Sequence, residues 1–398
     1  SGDEGPLSGE GGGIGCTGRS NLIARNVITN CHADYGGGGI YARNCKIVDN
    51  VVVGNSGKWM GGGIYVSPSY GPAIIQGNII AGNTLSWGFG GGIYCSNAFL
   101  QDNLISGNRT DEGGGGGVQS CEKCTIVGCM LVGNVVAPTG SHGGALVWAD
   151  LSRETLDIVN CCLVGNSAGG DGKGGGLYLQ AAPALTGGDT SEVRVLNSIF
   201  AQNSAREGKD IFLERVPYRP GKLLVQNTSI DPSKINTMSS DPLWGVTWGP
   251  GNISADPLFV DPGRWDDAGT PGDASDDVFI PGDYHLLPGS PCIDAGTTDV
   301  DDSATPEIET LPDTDLAGLP RIIDGNLDGT ALPDIGAYEY LPGDVNNDGK
   351  VNVVDLILIR NSLGRDPASF PPARRADLNR DGRVDMNDLL IARSRGGK

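Results

Sequence analysis

The sequence predicts an all-β solenoid followed by a small C-terminal α-helical module. Three observations carry this. A glycine run followed by a short apolar strand recurs along the first half. Between the runs sits a second recurring unit, two short apolar strands that end in Asn. Near the C-terminus a twelve-residue Asp/Asn/Gly loop occurs twice.

The glycine runs read GGGIGC at Gly11, GGGIYA at Gly37, GGGIYV at Gly61, GGGIYC at Gly90, GGGVQS at Gly115, GGALVW at Gly143 and GGGLYL at Gly174. Their first apolar residues, Ile14, Ile40, Ile64, Ile93, Val118, Leu146 and Leu177, are spaced by 26, 24, 29, 25, 28 and 31. A period that holds while single steps vary is the mark of a solenoid with unequal loops. The second unit runs from CKIVDNVVVGN at Cys45 to VRVLNSIFAQN at Val193. Its segments are too short and too β-branched for helices, so each rung should hold about three strands. The closing column is Asn55, Asn83, Asn108, Asn134, Asn166 and Asn203, with Asn30 placed one rung earlier. Asn tolerates the left-handed backbone of a sharp bend, and its amide can bond to the Asn above and below. Asn50, Asn78, Asn103, Cys129, Cys161 and Ser198 form a second small or amide column facing the bore. Cys129 and Cys161 are read as free core thiols.

This pattern resembles the right-handed parallel β-helix of pectate lyases and many bacterial surface proteins, and the G-G-G-I-Y runs resemble the repeats of polymorphic outer-membrane adhesins. The resemblance implies rungs over 1–236. Residues 237–341, with SADPLFVDP, DYHLLPGSPCIDAG and LPDIGAYEY, are similar to the irregular closing rungs and cap of extracellular β-helices. An open solenoid end exposes unpaired edges, so a cap is expected there. The acidic stretch from Asp261 to Asp283 and the run DGNLDG at Asp324 could each bind calcium, but without regular ligand spacing they are read as solvated loops.

The third domain, 342–398, carries the chemistry. DVNNDGKVNVVD begins at Asp344 and DLNRDGRVDMND at Asp377, 33 residues apart. Calcium takes six to eight oxygens, and this spacing supplies them from loop positions 1, 3, 5, 7, 9 and 12 around a glycine turn. In the first loop these are Asp344, Asn346, Asp348, the Lys350 carbonyl, Asn352 and Asp355. In the second they are Asp377, Asn379, Asp381, the Arg383 carbonyl, Asp385 and Asp388. Position 12 is Asp, no amphipathic helix precedes the first loop, and a helix follows each loop. That combination resembles a type I dockerin, which implies two Ca2+ ions and a cohesin-like partner. The resemblance places partner contacts at Val353, Val354, Met386 and Asn387, where the hydroxyl pair of many dockerins is missing.

Composition limits the function classes. The chain has 398 residues, 65 of them Gly, and a net charge of −20. The module holds ten Lys+Arg against eight Asp+Glu, a net of +2, which leaves the body at −22. A body this acidic repels nucleic acid and anionic membrane. No apolar run approaches the roughly 18 residues of a membrane helix. Acidity and calcium suit an extracellular setting, secreted or on the cell surface, and the first residues read as a mature or trimmed N-terminus.

A catalytic site on this fold would need a base beside a carboxylate-held calcium, or two carboxylates on one strand face. The residues after each leading apolar position are Tyr41, Tyr65, Tyr94, Gln119, Val147 and Tyr178, none of them acidic or basic. The tyrosines Tyr41, Tyr65, Tyr94 and Tyr178 are either a carbohydrate platform or a structural aromatic ladder, with the ladder preferred. Trp59, Trp87 and Trp148 are read as loop or cavity fillers. The sequence therefore favours an assembly or attachment component over an enzyme. Its alternative is a polysaccharide lyase or glycoside hydrolase docked into a cellulosome-like complex. A second copy of the chain is a further candidate partner: the Gly11 run opens near the start, and a module at the far end of the rod would meet it head to tail.

Overall fold

The computed structural model describes residues 11–67, 72–139, 142–149, 154–181, 191–214, 221–237, 244–267, 269–270, 278–300 and 311–396. The reading of the first residues as a trimmed terminus, and Asp273, Asp276 and Asp277 of the acidic stretch, lie outside them. The body is a parallel β-solenoid of roughly eight turns. Strands stack in ladders, rung on rung, with the register that the repeats set: Ile40, Ile64, Ile93, Val118, Leu146, Leu177 and Ile211 pair in succession.

Each full rung has four strands rather than three. Ile93–Cys95, Ala98–Gln101 and Leu104–Ser106 follow from the apolar runs. The fourth, Arg109–Gly114, lies between the Asn column and the next glycine run. It was hidden in the sequence because it carries polar residues and only one inward apolar or Thr side chain per rung. In the first rungs the strands Ile14–Ala24 and Ile40–Val48 span two ladders without a break. The parallel rungs continue past 236, since Trp244–Trp248 pairs with Gly221–Gln226.

Glycine is needed where rungs approach most closely. A Cβ on Gly38 would stand 2.2 Å from the Gly62 carbonyl oxygen and 2.3 Å from that of Ser56. Gly37 adopts φ +68° to turn the chain into the strand. No larger residue satisfies both demands.

The bore holds two polar columns. Asn55 Nδ2 donates to Asn83 Oδ1 at 3.0 Å and to the Ile28 carbonyl, and the Asn55 backbone N–H donates to the same Oδ1. The pattern repeats through Asn83, Asn108, Asn134 and Asn166 to Asn203, which donates to Asp210. Every amide is thereby satisfied inside an apolar core, which removes the cost of burying it. Two details differ from expectation. The left-handed residue is the one before each Asn, Gly54 at φ +65° and Gly82 at +58° for example, while the Asn itself serves the ladder. Asn30, at φ +54°, fills that preceding position, and Cys31 stands above Asn55, to whose Oδ1 its backbone N–H donates. The second column runs Asn50–Asn78–Asn103 onto the free thiol of Cys129, and Cys161, whose N–H donates to Ser198 Oγ, carries it on.

Among the described residues, 259–267, 278–300 and 311–340 do not lie over the end of the solenoid. They run back along one flank. Phe279 lies against Gly133 and Gly165, the Ala337 N–H donates to Cys162 Sγ at 3.3 Å, and Asn160 and Asn197 donate to the carbonyls of Asp334 and Thr297. The reason is apolar surface. Met130, Val132, Cys162, Val164 and Ile199 face outward and form a second core with Phe259, Phe279, Tyr284, Ile293 and Ile335. Burying such side chains contributes on the order of 1.5–3 kcal/mol each.

The C-terminal module has three helices, α1 (Val353–Ser362), α2 (Pro371–Ala376) and α3 (Met386–Arg395), around a small core of Val345, Ile359, Ala373, Ala376, Leu378, Val384 and Ala392. It sits on the flank segment, not at the far end of the rod. Arg375 of α2 pairs with Asp283, and Gly349 lies against Leu319. The flank segment carries the chain sideways off the solenoid before the module begins, which moves the module away from the position the head-to-tail expectation assumed.

Candidate metal centres and docking face

The two loops are built alike, and each couples metal ligands to a helix start. Asn352 caps α1, its side chain accepting from the Val354 N–H at 2.8 Å, while Asp355 Oδ2 accepts from the Asn352 N–H at 2.8 Å. Asp385 and Asp388 make the same reciprocal pair at α3. Positions 9 and 12 therefore serve both as loop carboxylate or amide and as capping box. Asp355 Oδ1 reaches back to the Val345 N–H, and Asp388 Oδ1 to the Leu378 N–H, which closes each loop on its own entry. Gly349 at φ +80° and Gly382 at φ +82° make the turn at position 6.

The residues present suit a hard divalent cation. Carboxylate oxygens of Asp344, Asp348 and Asp355 all lie within 4.8 Å of one another. Burial raises the pKa of Asp344, and Asp355 and Asp348 add to it by charge. In the second loop burial likewise raises Asp377, with Asp388 and Asp381 contributing. Asp377 Oδ1 is buried and has no hydrogen-bond partner. Converging carboxylates and an orphaned acceptor are what a cation relieves. Asn346 and Asn379 stand beside these groups, donating to Asp348 and Asp381. Lys350 and Arg383 are exposed, so their ammonium and guanidinium groups lie outside the ligand set and only their carbonyls remain as position 7.

The predicted contact residues are all exposed. Val353 and Val354 open α1, Met386 and Asn387 open α3. One turn further, Ile357 and Leu390 are about half exposed and extend the same row. They went unnoticed in the sequence, although their i+4 spacing from Val353 and Met386 marks one helix face.

On the body, the tyrosines do not form an open platform. Tyr41, Tyr65 and Tyr178 are buried. Tyr65 packs between Tyr41 at 5.4 Å and Tyr94 at 5.5 Å, tilted and edge-on. Tyr178 stacks between His142 and Phe212 and donates to Glu214. Neighbouring rings cover one another, so the column is a structural ladder. The tryptophans divide. Trp148 is a buried filler whose Nε1 donates to the Glu122 carbonyl at 2.8 Å. Trp59 and Trp87, read as fillers, are instead 45% and 49% exposed, 6.3 Å apart on adjacent rungs, with Tyr35 and Phe89 exposed nearby. Composition carries no sign of this, because only the corner geometry turns these rings outward.

The model of the right handed beta helix region matches residues 12–200, and that of the dockerin type I domain matches 342–394. No curated protein and no solved structure matches the chain significantly. The chain thus carries a β-helix region and a C-terminal type I dockerin domain. Type I dockerins bind calcium, and a dockerin implies a cohesin as the class of partner. Dockerin-containing proteins are generally extracellular or on the cell surface. Among the described residues no helix is long and apolar enough to cross a membrane.

Proposed function

We propose that this chain is a non-catalytic, extracellular β-helix component held in a larger assembly by its dockerin, with the α1/α3 row as the contact. One observation carries the reading. Val353, Ile357, Met386 and Leu390 are exposed apolar side chains on the two helices whose first turns the calcium loops organise. Apolar residues left in water beside a metal-ordered helix start form a surface ready to be buried. Asp344, Asp348 and Asp355, with Asp377, Asp381 and Asp388 in the second loop, would hold calcium, whose charge would offset their mutual repulsion, and Asn352 and Asp385 hold the helix starts at which the row begins. The body complements this role. The buried carboxylates of the flank segment accept backbone amides, as Asp294, Asp315 and Asp334 do.

The test is titration calorimetry of the full chain against a panel of cohesins, with calcium and with chelator, beside Val353→Asp/Met386→Asp. A calcium-dependent complex weakened at least ~10-fold in the variant supports the reading. Concentration-dependent self-association abolished by the same variant would instead assign the face to a second copy. A chain that binds no cohesin and stays monomeric contradicts it.

A second reading is favoured by Trp59 and Trp87: attachment to a polysaccharide. Exposed rings on adjacent rungs offer stacking faces along the rod. Affinity electrophoresis in neutral glycans should show retardation lost in Trp59→Ala/Trp87→Ala, and equal migration of variant and wild type on every glycan rejects it.

A further inference from the structure

The first two rungs bring two thiols into contact. Cys16 lies in the strand Ile14–Ala24 and Cys45 in Ile40–Val48, which pair in parallel. In the unbroken register Cys16 faces Ala42, three residues before Cys45. Beyond Thr17↔Arg43 the register shifts to Asn21↔Cys45, so one strand advances four residues while its partner advances two. This bulge draws the two sulfurs together. Cys45 Sγ is 2.7 Å from Cys16 Sγ, and it also lies 3.4 Å from the Cys16 carbonyl oxygen.

We propose that Cys16 and Cys45 are joined by a disulfide that staples the first rung to the second. At 2.7 Å the sulfurs are closer than two unbonded sulfurs rest, and adjacent parallel strands already hold the backbones side by side. Accessibility supports an order of events. Cys16 is half-buried and Cys45 buried. The Cys16 thiolate attacks the disulfide of an oxidant, an oxidised small thiol or a dithiol oxidoreductase, and releases one thiol. The Cys45 sulfur then gives up its proton and displaces the second thiol as the Cys16–Cys45 bond forms. The two cysteines lose two protons and two electrons, and the oxidant becomes two thiols. While both are thiols, burial pushes Cys45 up to about 12, with Cys16 adding to it.

Cys95 and Cys124 also meet, on strands buried within the same core, whereas Cys129 and Cys161 are placed differently. Cys129 donates to the Val127 and Leu100 carbonyls, and Cys161 to those of Val159 and Ile126, each serving as a rung of its column. A link between 16 and 45 closes the register break at the first described rung.

Full-length protein is equilibrated with oxidised and reduced glutathione, blocked with iodoacetamide in denaturant, and digested with trypsin without reduction. Cleavage after Arg19, Arg25, Arg43 and Lys46 places Cys16 on peptide 1–19, Cys31 on 26–43 and Cys45 on 44–46. A linked 1–19/44–46 species that dithiothreitol removes is expected. Limited proteolysis near the N-terminus should quicken several-fold with dithiothreitol in wild type and show no reductant effect in Cys16→Ser. Cys16 and Cys45 both recovered alkylated, or peptide 1–19 recovered disulfide-linked to 26–43 through Cys31, overturns the proposal. The wild-type peptide result decides the matter even if Cys16→Ser fails to fold.

Discussion

Arg375, on the second helix of the dockerin, pairs through Nη2 with Asp283, 92 residues earlier on the flank of the solenoid. Asp283 also accepts from His285 Nδ1 at 2.6 Å, and His285 stacks on Tyr338. Arg375 Nη1 in turn donates to the Val345 carbonyl, next to the first calcium ligand. With the packing of Gly349 against Leu319, this pair joins the calcium loop to the body. The dockerin is seated on the flank, while Val353, Ile357, Met386 and Leu390 stay exposed.

The seat should loosen in acid. Burial works against ionisation of Asp283, but the hydrogen bonds and charge of His285 and the charge of Arg375 outweigh it and lower the pKa to about 2. A depressed carboxylate contributes stability above its ordinary pKa near 4 and loses it as pH falls toward 2. Hydrogen exchange should show α2 and residues 283–287 losing protection together between pH 4 and 2 in wild type. Asp283→Asn should show that loss already at pH 6. Unchanged protection in the variant would mean the seat is held elsewhere.

Calcium should number two ions per chain. Metal analysis after dialysis is expected to give two for wild type and one for either Asp344→Ala or Asp377→Ala. Chelator should remove helix signal, because each position-12 Asp also caps a helix. A wild-type count of one, or a helix signal indifferent to chelator, contradicts the pairing of loops.

The amide column should be costly to break. Asn108→Ala removes the acceptor for the Asn83 N–H and side chain and the donor to the Ile80 carbonyl, all buried. Stranded buried groups cost about 1–3 kcal/mol each when no water replaces the partner. A loss of about 3 kcal/mol in denaturant unfolding is expected, and less than ~1 would show that the amide column contributes little to stability.

Incubation of the full chain with pectins, alginates, xylans and glucans should release neither unsaturated products nor reducing ends, with or without calcium. Product formation abolished by changing one or two acidic residues would restore the lyase or hydrolase alternative.

Local chemistry made much of this protein legible. Gly37 and Gly38 recur because no side chain fits between the rungs, Asn83 and Asn108 recur because a buried amide needs an identical neighbour, and Asp344 to Asp355 are spaced by the coordination of one ion. Such demands act over a few residues or repeat at a fixed interval, so they leave a periodic trace. The placement of 259–340 and of the dockerin left none. Met130 and Val132 show only that a strand is apolar on both faces, not that Phe279 will cover it. Nothing near Arg375 names Asp283, and nothing in Trp59 or Trp87 states which way a corner turns them. Those contacts join residues far apart in the chain and of ordinary types, and the tertiary structure alone decided them, because shape complementarity and burial are properties of assembled surfaces.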